Sequence, residues 1–150
     1  MLLFSLAVCS CDTAKHLSAI STADAPKVIA PYSQGIKYGS LVFTSGQIGL
    51  SPSTGSLAGD DISSQTHQAL KNLTAILEEA GSDMSHVMKV TIFLKDLNDY
   101  TKVNEIYSSY FPGLKPARST VQVARLPKDA LIEIECVAWV HEHRPVKVGM

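Results

Sequence analysis

The apolar positions along the chain change period several times, and each change marks an element. Ile36–Tyr38 and Leu41–Ile48 predict two short strands paired around the tight turn Gly39-Ser40. Between Leu50 and Gly59, Ser51-Pro52-Ser53 and Thr54-Gly55 supply loop chemistry. From Ile62 the spacing becomes helical: Thr66, Ala69, Leu73, Ile76, Leu77 and Ala80 fall on one stripe. Asp60 or Asp61 offers the cap and Gly81 the stop. Val87–Lys95 alternates, with Met88, Val90, Ile92 and Leu94 on one side and Val87, Lys89, Thr91, Phe93 and Lys95 on the other. Asn98 or Asp99 can cap a second helix, whose apolar stripe is Tyr100, Val103, Ile106, Tyr107 and Tyr110, and Pro112-Gly113 close it. Arg118–Ala124 is a strand candidate, Pro127-Lys128-Asp129 a turn, and Leu131–Val140 the last strand. The order ββαβαββ predicts an α+β layer with a mixed sheet and both helices on one face.

The last strand says something about the other face. Ile132, Ile134, Cys136, Ala138 and Val140 form a uniformly apolar side that belongs under the helices. The opposite side carries Leu131, Glu133, Glu135, Val137 and Trp139, too apolar for a solvated face and too charged for a core. Such a mixture suits a subunit interface with a polar pocket in it. It also suits a solvated edge on which Trp139 caps the sheet, and the pattern by itself leaves both readings open.

Length and composition narrow the class. A chain of 150 residues fits one domain with a real core. The formal charge of −1 argues against a nucleic-acid footprint, which needs a basic face. No stretch has the length of a membrane span. Cys9, Cys11 and Cys136 are an odd number without regular spacing, which favours reduced thiols. Cys9-x-Cys11 lacks further zinc-spaced ligands, and His141 and His143 read as a solvated tail, so no metal site is expected. Met1–Cys9 is an apolar run without the basic start or the small-residue cleavage site of a signal peptide. The expected division is an N-terminal extension over residues 1–23, a domain over 24–143 and a short tail over 144–150. The expected compartment is cytoplasmic, with organellar or secretory targeting left open by the apolar start.

Pro116-Ala117-Arg118-Ser119, then Val121, Ala124 and Leu126, then Ile132-Glu133-Ile134, resemble the signature of the Rid family, the reactive intermediate deaminases also called YjgF proteins. Ala30-Pro31-Tyr32-Ser33-Gln34-Gly35, Thr44-Ser45-Gly46-Gln47 and Lys95-Asp96-Leu97-Asn98-Asp99 are similar to three further family segments, so the resemblance spans roughly residues 24–141. It implies a chorismate-mutase-like α+β fold assembled as a homotrimer, with active sites in the clefts between subunits. It implies hydrolysis of 2-imino acids or their enamine tautomers, such as 2-iminobutanoate and 2-iminopropanoate, to 2-keto acids and ammonia, without a cofactor. By the same match Arg118 binds the substrate carboxylate and Glu133 works on the attacking water. Tyr32, Ser45, Gly46 and Thr120 fall on pocket positions. Thr120 stands where the best-known deaminase members carry cysteine.

The residue types suit that chemistry. A guanidinium grips a carboxylate through two parallel hydrogen bonds, which fixes orientation as well as charge. A carboxylate can take a proton from water and return one to the departing nitrogen. Spacing does not separate Glu133 from Glu135, which share a strand side about 6–7 Å apart; the resemblance selects Glu133, and Glu135 reads as an interface ion pair with a lysine such as Lys89. Two alternatives belong to other classes: a translation inhibitor or ribonuclease, and a keto-acid-binding regulatory protein without turnover.

Overall fold

A computed structural model describes residues 16–140. Cys9, Cys11, His141, His143 and the apolar run Met1–Cys9 lie outside the described residues. Seven strands and two α-helices follow in the order β1 (Leu17–Ile20), β2 (Gly35–Tyr38), β3 (Leu41–Thr44), β4 (Gln47–Ile48), α1 (Ile62–Glu79), β5 (Val87–Leu94), α2 (Tyr100–Tyr110), β6 (Ala117–Gln122) and β7 (Ile132–Trp139). They form one sheet ordered β1-β2-β3-β7-β5-β6, with β4 also paired to β7. Only β5 and β6 run parallel, joined by the crossover through α2. This is the expected mixed α+β arrangement.

The core lies between the helices and one sheet face. Leu70, Leu73, Ile76 and Leu77 of α1 and Val103 of α2 pack with Val42, Val90, Ile92 and Ile134 of the sheet, all essentially inaccessible to solvent. The N-cap of α1 is Asp61, whose carboxylate accepts from Ser64 N and Ser64 Oγ. Buried Gln65 links this helix to the start of β7, donating to Gly59 O and accepting from Leu131 N.

Four local readings change. The sheet begins before residue 24, with β1 paired antiparallel to β2; its short, largely exposed run carries no clear alternation. The alternation in β5 breaks at its start, where the register shifts between Val87 and Lys89. This bulge turns Val87 into the core and leaves Met88 exposed. The second helix is preceded by a 3-10 turn at Leu97–Asp99, which the Asp96 carboxylate caps by accepting from Asn98 N; Asp99 is the N-cap residue of α2, as expected, but makes no side-chain capping hydrogen bond. Finally, Tyr100 lies off the buried stripe and is 40% exposed.

One interruption of the sheet shapes the surface around Glu133. β3 leaves β7 after Phe43 and the chain rejoins it at Gln47. Thr44 spans the gap with its side chain: Oγ1 accepts from Cys136 N at 2.9 Å and donates to Cys136 O at 3.3 Å. Ser45 and Gly46 are thereby bowed out of the ladder, above Glu133.

Candidate active site

The bowed Ser45-Gly46 segment and the preceding Tyr32–Gln34 segment are locked together. Ser45 N donates to Gln34 O at 2.9 Å, and Ser45 Oγ donates to Ser33 O at 2.6 Å. Gln34 is buried and holds the chain before it: Oε1 accepts from Thr22 N, and Nε2 donates to Thr22 O and Pro26 O. The two N-terminal motifs are therefore one hydrogen-bonded unit, and it walls a cavity of about 400 Å³ whose lining includes Tyr32, Ser45, Gly46, Lys128 and Glu133.

At Gly46 a side chain would displace the Glu133 carboxyl. A Cβ there would lie 2.7 Å from Glu133 Cδ and 2.9 Å from Glu133 Cγ, inside any real contact distance. The glycine backbone thus forms the surface against which the Glu133 carboxyl rests. Glu133 is half-buried, and its carboxyl is held above the ordinary carboxylate value, first by burial and then by the charge of Glu135 two residues along. Such a group is a better proton acceptor than a solvated glutamate.

The lining of this cavity also includes a turn with a backbone feature the pattern does not announce. Lys128 and Asp129 both adopt positive φ, 56° and 55°. Left-handed conformations cost an L-residue with a Cβ roughly 1–2 kcal/mol each. Arg125 helps to hold the turn, donating Nε and Nη2 to the two oxygens of Asp129 at 2.7 and 3.0 Å. The turn brings Lys128 to the rim of the Glu133 cavity.

Arg118 and Thr120 lie elsewhere. In the parallel β5–β6 ladder Arg118 pairs with Val90 and Thr120 with Ile92, both core residues, so these side chains point toward the helix side. Glu133 pairs with Phe93 and points to the opposite face. With β5 between them and three residues of offset, Arg118 and Glu133 are roughly 14 Å apart along the sheet of one chain, from strand spacing and rise. Arg118 lines a second cavity, of about 530 Å³, with Tyr100, Asn104, Tyr107, Lys115 and Thr120. Its guanidinium stacks on the Tyr107 ring at 4.6 Å and donates from Nη2 to Tyr100 Oη at 3.1 Å. Burial pushes the Tyr107 hydroxyl up to about 12, against the opposing pull of Arg118. Among the described residues neither the Tyr107 hydroxyl nor Thr120 Oγ1 finds a hydrogen-bond partner.

The structure therefore brings Tyr32, Ser45, Gly46 and Glu133 together and places Arg118 and Thr120 in a separate cavity. Lys89, read as a partner for Glu135, donates instead to Ser119 Oγ at 2.6 Å. Among the described residues no three His, Cys, Asp or Glu side chains cluster as metal ligands would.

The family model described as Endoribonuclease L-PSP matches residues 22–140. The chain belongs to this family, the Rid family of the sequence resemblance. A RutC family protein of Pyrococcus abyssi is 54% identical over 120 residues, covering 80% of this chain and 94% of that protein. The Homo sapiens protein named 2-iminobutanoate/2-iminopropanoate deaminase is 50% identical over 119 residues, covering 79% of this chain and 87% of its own. Among solved Rid structures, E. coli TdcF with bound serine superposes with a TM-score of 0.80 at 44% identity, over 83% of this chain and 99% of that one.

Proposed function

We propose that this chain is a 2-imino acid deaminase whose active site is completed by a second copy of itself. The observation that carries the reading is the division of the site: a half-buried carboxylate with raised proton affinity on one sheet face, and a guanidinium on the other, too far apart to share one small substrate within a chain. The 50% identical human relative is named for 2-iminobutanoate and 2-iminopropanoate, small molecules with a carboxylate beside an electrophilic C=N carbon. Arg118 of one copy grips the carboxylate, and the cavity of Tyr32, Ser45, Gly46 and Glu133 on the next receives the imine carbon. Glu133 accepts a proton as water adds to that carbon. It returns that proton to nitrogen to give a carbinolamine, then carries the hydroxyl proton to nitrogen as the C–N bond breaks, and the products are a 2-keto acid and ammonia. No cofactor enters these steps.

The open sheet face supports assembly. Leu17, Tyr38, Phe43 and Val121 all stand there more than 40% exposed, beside partly covered Phe93, Val137 and Trp139. An apolar surface of this extent is buried in a stable protein by a partner. Three copies around one axis give three equivalent clefts, each drawing Arg118 and Glu133 from neighbours.

The test generates 2-iminobutanoate in situ with a threonine dehydratase and follows keto-acid release against a semicarbazide trap. The wild-type chain outcompetes the trap, and Arg118→Ala and Glu133→Gln each lose at least a hundredfold, the usual scale of a lost acid–base or orienting group. Wild-type release at the background rate contradicts the reading. A sensor without turnover would bind keto acid through Arg118 and show no rate to lose in Glu133→Gln.

A further inference from the structure

Arg118 does not present its guanidinium alone. Tyr100 stands beside it at the first turn of α2, exposed, with its ring 5.6 Å from the guanidinium carbon and its oxygen 3.1 Å from Nη2. The direction of that hydrogen bond matters: arginine can only donate, so the phenol oxygen accepts. Asn104, one helical turn along, lines the same cavity. The Tyr100 oxygen thus accepts from Arg118, and among the described residues no hydrogen bond commits its own O–H proton. That proton sits at the mouth of the cavity lined by Arg118, Asn104 and Lys115. Everything around the hydroxyl favours giving the proton toward negative charge. The side-chain hydrogen bond from Asn104 and then that from Arg118 draw the phenol's pKa below its ordinary value.

We infer that Tyr100 is a substrate-binding residue, its hydroxyl donating to the carboxylate that Arg118 holds and selecting carboxylate-bearing ligands over neutral ones. The inference rests on the reading that Arg118 binds a carboxylate. Tyr100 occupies one of the guanidinium's donors and keeps the fork oriented. When a carboxylate enters, one of its oxygens accepts from Arg118 and the other accepts from Arg118 and the phenol. Tyr100→Phe removes only the hydroxyl from an exposed ring, so the fold is untouched.

The experiment is a titration of the full-length chain with 2-oxobutanoate and, in parallel, with its neutral counterpart 2-oxobutanamide. Wild type, Tyr100→Phe and Arg118→Ala are compared. Loss of a hydrogen bond to a charged ligand predicts about tenfold weaker 2-oxobutanoate binding in Tyr100→Phe, with 2-oxobutanamide binding unchanged. Imine turnover by Tyr100→Phe shows the same rise in KM with kcat within about twofold, the pattern of lost uniform binding. Binding of 2-oxobutanoate within twofold of wild type in Tyr100→Phe, but lost in Arg118→Ala, overturns the inference and leaves the site intact. Undiminished binding in Arg118→Ala overturns the carboxylate site and this inference with it. Weakened binding in both variants without imine turnover upholds the inference while removing the deaminase reading.

Discussion

In the proposed mechanism Gly46 and Glu133 define the chemistry at the residue scale, because the glycine's missing side chain is the space the carboxyl occupies. Gly46→Ala leaves the fold in place, since the segment is bowed out of the ladder, but displaces the carboxyl. Imine turnover is expected to fall at least a hundredfold, with unchanged circular dichroism, a loss of the size that misplacement of a catalytic group produces. The raised proton affinity of Glu133 makes a second prediction. The base must be ionised, so kcat/KM falls as pH drops through its raised value. Glu135 contributes by like charge, after burial. Glu135→Gln removes that contribution, lowers the Glu133 value and moves the acid limb to lower pH; a pH–rate profile of the two proteins reads the direction. At this scale the resemblance supplied the identities of Tyr32, Ser45, Gly46, Arg118, Thr120 and Glu133, and spacing alone would not have separated Glu133 from Glu135. The exposure of Tyr100 was hidden, because a tyrosine at helical spacing reads as packing until the helix's rotation against the sheet is known.

At the scale of elements, the break between β3 and β4 builds the site, and Thr44 makes the break tolerable by satisfying both backbone groups of Cys136. Thr44→Val keeps the shape and removes the hydroxyl, leaving Cys136 N without its acceptor. A destabilisation of about 1–3 kcal/mol follows from an unsatisfied buried donor, measurable as a shift in urea midpoint. The helices and long strands were legible because their apolar periods are imposed by the core they bury. The inward side of β7 matches the pattern residue for residue, while α1, capped by Asp61, buries Thr66, Ala69, Leu73, Ile76 and Leu77 as expected and Gln65, Leu70 and Asn72 besides, with Ile62 only partly covered. β1 was not, since its pairing with β2 is made by backbone hydrogen bonds that leave its side chains mostly exposed. The bulge that turns Val87 inward was equally silent, because the sheet register sets it, and the turn at Pro127-Lys128-Asp129 was legible without its positive φ values.

Across the whole molecule, the sheet face opposite the helices combines exposed apolar residues with Glu133 and Glu135, the same mixture that the last strand carries on its outward side. Its meaning depends on the opposite orientation of Arg118, which follows from the parallel pairing of β6 with β5 and could not be read from a chain of strand candidates without their order. The central claim is that one copy supplies Arg118 and the next supplies Glu133. Mixing two inactive variants tests it most directly. Arg118→Ala and Glu133→Gln chains are unfolded and refolded together in equal amounts, and imine turnover is compared with each variant refolded alone. If the site spans two copies of a closed trimer, every mixed assembly regains one intact site of three, and random assortment restores about a quarter of wild-type activity. If both groups act within one chain, no mixture contains an intact site, and activity stays at the level of the separate variants.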